Sequence, residues 1–122
     1  MRTILTTIAA IACLATPALA DSYPVSGKWG VSTSTEQGPI DCSKLRVITF
    51  NGEQRTDTGG GVPAYRNRSV QPDGPGRHRV VDVFTTGQIA NAQAIYTLQQ
   101  SGDDHLDMNL QKGGQIKLRK CK

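Results

Sequence analysis

Asp103-Asp104-His105-Leu106-Asp107 is the densest run of oxygen and imidazole donors in the chain. In an extended segment His105 and Asp107 share one face, with Asp103 and Asp104 in the adjoining turn, a set that a hard or borderline cation could use. Asp and Gly are also ordinary turn residues. The run therefore reads first as a solvated hairpin tip, with no metal assigned. His78 and His105 are the only histidines, and no nucleophile elbow, zinc helix, P-loop or dinucleotide fingerprint accompanies them. Gly59-Gly60-Gly61 lacks the Lys-Ser/Thr of a phosphate cradle. These absences point away from an enzyme, and no cofactor is expected.

Arg66, Arg68, Arg77 and Arg79 bracket a Gly/Pro-rich stretch. Each pair is spaced by two, so each would project to one side of an extended chain. Four guanidiniums could hold an anionic ligand, a lipid headgroup or an acidic protein surface, or simply form the solvated rim of a loop. Nucleic acid is disfavoured because aromatic residues are sparse, at 5% of the chain. Asn67-Arg68-Ser69 matches a glycosylation acceptor, which matters only in a eukaryotic secretory route.

The first 20 residues read as a secretory signal: Arg2, an apolar run from Ile4 to Leu14, a break at Pro17, and a small-x-small end at Ala18-Leu19-Ala20. The mature chain would begin at Asp21 and lie in the periplasm or outside the cell, without spanning a membrane. A retained N-terminal anchor and lipoprotein processing at Cys13 are the alternatives. Once the signal is removed, Cys42 and Cys121 are the two remaining cysteines. One disulfide is their simplest state in an oxidising compartment; two free thiols are the other.

The elements must come from a chain of 122 residues, 37% hydrophobic, with a net charge of +4, 13 glycines and 6 prolines. That is one small domain built from short strands and turns. Strands are expected over Val25–Thr33, Leu45–Phe50, Arg79–Thr85, from Ala94 to Gln99, around Leu106–Leu110 and around Ile116–Leu118, with a short one at Val62–Tyr65. Asn51-Gly52 signals a hairpin. Gln54 to Gly76 otherwise reads as polar loop, and Gln88 to Gln100 could be a helix carrying Ile89, Ala92 and Tyr96 instead of the strand from Ala94. The implied fold is all-β: a small antiparallel up-and-down barrel of six to eight strands with one disulfide.

Three segments resemble the bacterial inhibitors of secreted alkaline metalloproteases, which are small calycin-type barrels. Ser26-Gly27-Lys28-Trp29 is similar to the Gly-x-Trp first strand, Cys42-Ser43-Lys44-Leu45-Arg46 to the Cys-led second strand, and Leu110 to Arg119 to the closing hairpin. The resemblance implies a basic residue, here Arg119, packed over Trp29. It implies inhibition by an N-terminal segment, here Asp21, Ser22, Tyr23 and Pro24, that enters the protease cleft while packing few core atoms. The family's second cysteine lies in mid-chain, where this sequence has none.

Function is thus expected in one of three forms. The first is a monomeric, exported binding module for a protein partner, as an inhibitor of a secreted zinc metalloprotease would be. The second is a small calycin-like carrier of an apolar or anionic ligand, and the third a structural envelope protein docked to a larger partner. A filled interior favours a partner-binding surface, whereas a cavity of roughly 300 Å³ or more favours a carrier.

Overall fold

The computed structural model describes residues 22–59, 63–85 and 92–122. They form eight strands: β1 (Gly27–Val31), β2 (Val47–Asn51), β3 (Gln54–Asp57), β4 (Ala64–Pro72), β5 (Arg77–Phe84), β6 (Gln93–Ser101), β7 (His105–Leu110) and β8 (Gln115–Lys120). Each pairs antiparallel with its neighbours in sequence, and β8 returns to β1, so the sheet is a closed barrel. Closure leaves no strand edge for an unwanted partner to extend.

Period-two alternation forms most of the wall. Ile48 and Phe50 of β2, Val80 of β5, Tyr96 and Leu98 of β6, Leu106 and Met108 of β7 and Leu118 of β8 all turn inward and are buried with Trp29. The alternating polar residues face out. Segment 93–101, which carried the helix alternative, is extended and paired on both sides; residues 88–91 lie outside the described part.

Two strands depart from the expectation of loop over Gln54 to Gly76. The inward positions of β3 are Arg55 and Asp57, both buried, so a true strand carries no apolar alternation. In β4 a β-bulge between Asn67 and Ser69 shifts the register, which breaks the period-two pattern. Even Pro72 is paired, with His78, at the strand's last position. Of the expected strand at Val62–Tyr65, Val62 lies outside the described residues, Pro63 precedes the strand, and Ala64 and Tyr65 belong to the longer β4.

The long connection from β1 to β2 is fastened to the outside of the barrel. Ile40 bridges Cys121: its amide donates to the Lys120 carbonyl, and its carbonyl accepts from the Lys122 amide. Cys42 and Cys121 form a disulfide across a sequence separation of 79. Gly30 is what admits it: a Cβ there would lie 2.6 Å from Cys42 Sγ and 3.0 Å from Leu45 Cδ1.

Candidate functional site

The barrel interior holds a polar centre that hydrophobic periodicity could not announce. Arg55 Nε donates to Asp82 Oδ2 at 2.8 Å, and the Tyr96 hydroxyl donates to the same oxygen at 2.6 Å. Asn67 Nδ2 reaches Asp82 Oδ1 at 3.3 Å. The Arg55 guanidinium also lies over the Tyr65 ring, 3.7 Å from its centroid. Burial opposes the Arg55 charge, but Tyr96 and Asp82 outweigh it and raise its pKa, so it stays protonated. Burial likewise raises the Tyr96 phenol well above its ordinary value. Both side chains of this ion pair are buried, and the pair fills the space beside the Tyr65 and Tyr96 rings.

The expected N-terminal probe is not a free tip. Tyr23 is only 6% exposed and belongs to the hydrophobic core. Its amide donates to the Gly52 carbonyl at 2.9 Å, and its ring packs edge-on against Phe50. Burial and then the Asp82 carboxylate raise its phenol. Its hydroxyl has no hydrogen-bond partner among the described residues. Pro24 is half-buried and Val25 buried behind it. Ser22 is exposed, and Asp21 lies outside the described residues. The expectation that Asp21, Ser22, Tyr23 and Pro24 pack few core atoms is therefore corrected at Tyr23, because an aromatic ring beside an open barrel end gains more from burial than from solvent.

Trp29 is a core residue, as expected, but the cation above it is different. Lys120 Nζ lies 5.0 Å from the Trp29 centroid and donates to the Ser26 carbonyl at 2.8 Å. Ser26 also accepts from Trp29 Nε1 at 3.1 Å. Gly27 makes room for this arrangement: its φ is +88°, and a Cβ there would strike Lys120 Nζ at 2.7 Å. Alternation contained the signal, since Leu118 points inward and its i+2 neighbour Lys120 must follow it.

Arg119 instead points outward and is still only 2% exposed, because the β1–β2 connection folds over it. Its guanidinium donates to the carbonyls of Ser34 and Glu36 and, at 3.0 Å, to that of Gly38. Asp104 completes this clasp from the β6–β7 turn. It accepts the Gly38 amide at 2.9 Å, pairs with His105 Nδ1 at 2.8 Å and lies 3.6 Å from Arg119. The His105 hydrogen bond leads the causes that hold the Asp104 carboxyl below its ordinary pKa. Asp107 faces Lys117 at 4.0 Å. The run 103–107 is thus divided between a loop clasp and a surface pair, and among the described residues no three His, Cys, Asp or Glu side chains gather into a metal-binding group.

The four arginines separate too. Arg77 is tied into the β4–β5 turn, donating to the Asp73 carbonyl at 2.7 Å with the Asp73 carboxylate at 3.5 Å. Arg66, Arg68 and Arg79 are exposed on the outer wall of β4 and β5. Asn67, the acceptor position of Asn67-Arg68-Ser69, is 1% exposed and bonded inside, so the pattern presents no amide to a glycosylating enzyme. His78 opposes Pro72 and Leu98, one strand removed from His105, which opposes Ser101. Gly59 packs on Arg46, and Gly60 and Gly61 lie outside the described residues.

No family model, curated protein or solved structure matches the chain. The function must therefore be argued from this geometry. Several depressions are lined by described residues. One of about 340 Å³ runs between Ser32–Gln37 and His105. Another of about 530 Å³ lies beside Val31, Arg46 and Ile116, and one of about 230 Å³ lies beside Ile95 and Leu110.

Proposed function

We propose that this chain is an exported, non-enzymatic binding module that engages a protein partner with the outside of its barrel. The observation that carries the reading is how closely the described interior residues pack. Trp29, Phe50, Tyr96, Leu98, Leu106 and Leu118 are each no more than 2% exposed, and the Arg55–Asp82 pair occupies the space between the aromatic rings. An eight-stranded barrel packed in this way has little room for a ligand, which weighs against the carrier. The test is capture of partners from an extracytoplasmic fraction by the immobilised protein, alongside titration with an apolar fluorophore. A saturable protein partner with no fluorophore uptake is the expected result. Uptake at one site per barrel with no protein partner would overturn the reading.

The partner class we propose first is a secreted zinc metalloprotease, on the resemblance carried by Ser26–Trp29, Cys42–Arg46 and Leu110–Arg119. With Tyr23 anchored, inhibition would fall to the two residues before it, Asp21 and Ser22. Protein starting at Asp21 should inhibit such a protease, and protein starting at Tyr23 should not, with equal melting temperatures. Equal inhibition by both forms would reject a terminal mechanism.

A further inference from the structure

Every described arginine except three is matched to a carboxylate. Arg46 pairs with Asp57, Arg55 with Asp82, Arg77 with Asp73 and Arg119 with Asp104. Arg66, Arg68 and Arg79 are exposed and make no such pair among the described residues. The register puts all three on one wall. Arg66 opposes Val83, Arg79 opposes Gln71 and Thr97, and the β4 bulge carries Arg68.

The bulge is a built feature. Asn67 turns inward, and its Nδ2 donates to the Ser69 carbonyl at 3.2 Å and lies 3.4 Å from that of Val81. A bulge re-aims the side chain that the extra residue carries, and here Arg68 is that residue. Beside these guanidiniums, Val81 opposes Ile95 and Val83 opposes Gln93, so a half-buried aliphatic strip crosses the same wall. The outward residues of β3 to β6 include no Asp or Glu.

We propose that the outer wall of β4, β5 and β6 docks an acidic segment of a protein partner, with Arg66, Arg68 and Arg79 gripping its carboxylates around Val81, Val83 and Ile95. The inference rests on the binding-module reading and gives that module its surface and its partner's chemistry. Arginine forks match carboxylates in shape as well as charge. These exposed cations beside an apolar strip have no carboxylate partner among the described residues, and an acidic segment supplies one. A lipid surface fits less well. Interfacial anchoring calls for exposed aromatic rings, whereas Tyr65 and Phe84 pack against each other, 5.2 Å between centroids, on the inward side.

The test uses a fluorescent peptide of alternating glutamate and valine, its glutamine counterpart, and vesicles of phosphatidylserine in phosphatidylcholine. The purified protein should bind the glutamate peptide with an affinity that falls steeply with salt, and the glutamine peptide at least about tenfold more weakly. Combined R66E, R68E and R79E should cost about tenfold or more, while K28E, K44E and K117E together should stay within about threefold. Both variants should keep the wild-type melting curve. Salt-insensitive binding, equal loss in the two variants, or stronger binding to vesicles than to peptide that the arginine variant abolishes, would overturn the proposal. Capture of one partner equally by wild type and arginine variant would sink this inference and leave the binding module standing; no partner for the wild type would remove the module itself.

Discussion

Tyr23 stands edge-on against Phe50, with ring centroids 5.0 Å apart and planes inclined at 69°. A residue that precedes the first strand thereby closes one end of the barrel. Tyr23→Ala should cost about 3 kcal/mol, the usual scale for removing a buried aromatic ring. Tyr23→Phe should be neutral or stabilising by about 1 kcal/mol, because the buried hydroxyl that it removes has no partner. Urea unfolding of both variants checks the pair. A large loss in the phenylalanine variant would show that the hydroxyl is bonded after all.

Breaking the inner ion pair should be severe. Arg55→Met leaves Asp82 buried, with Tyr96 and Asn67 as its remaining polar partners, and should cost about 3–5 kcal/mol. The double change Arg55→Met with Asp82→Leu should recover most of that loss, because no charge is then stranded. A double-mutant cycle from denaturant midpoints measures the coupling; additive losses would contradict a direct pair.

Arg119→Lys keeps the charge but loses the fork that reaches three carbonyls of the β1–β2 connection. Residues 34–38 should become open to proteolysis, and the Gly38 amide should exchange faster than in the wild type. The strand amides should keep their protection. Unchanged cleavage of 34–38 would mean that the clasp is held without Arg119.

Acid sensitivity should trace in part to Asp57. Burial raises its pKa, but the two-point hydrogen bond from Arg46, at 2.8 and 2.6 Å, and the Gly59 amide more than reverse this, so the net shift is downward. A folded pKa below the unfolded value gives stability that is complete above the unfolded pKa of about 4 and is lost as pH falls through the folded value. The fall in unfolding free energy between about pH 5 and pH 2 should be shallower in Asp57→Asn than in the wild type. Parallel curves would assign the loss to other carboxylates.

Replacing both Cys42 and Cys121 by serine should cost about 4 kcal/mol, as expected for a cross-link over a loop of 79 residues. Thermal melts of the two forms measure it. A difference under about 1 kcal/mol would mean that the backbone bridges around Ile40 already order the chain ends in the unfolded reference state.

The sequence made legible whatever follows simple alternation. Tyr96 and Leu98, Leu106 and Met108, and the Cys42–Cys121 pair all stand where their residue types place them. β3 was illegible because its inward residues, Arg55 and Asp57, meet charged partners contributed by distant strands or loops. β4 was illegible because one extra residue shifts the inward register from Asn67 to Val70. The candidate tip was misjudged at Tyr23 for a related reason: nothing local says that Phe50 will stand beside it. Lys120 takes the place over Trp29 expected of Arg119, because Arg119 points outward, where a loop buries it.

All but one of the strand pairings join neighbours in sequence; the exception joins the first strand to the last. As the chain emerges, the wall can therefore grow hairpin by hairpin, yet it cannot be sealed until β8 is present. Cys121 follows β8, so oxidation is postponed to the same moment. A product cut short before residue 115 would carry two unpaired edges, an unmatched thiol and a β1–β2 connection without Arg119 to hold it. Each of these would leave such a product more open to proteolysis, so the wall, the cross-link and the loop clasp are all completed by one strand.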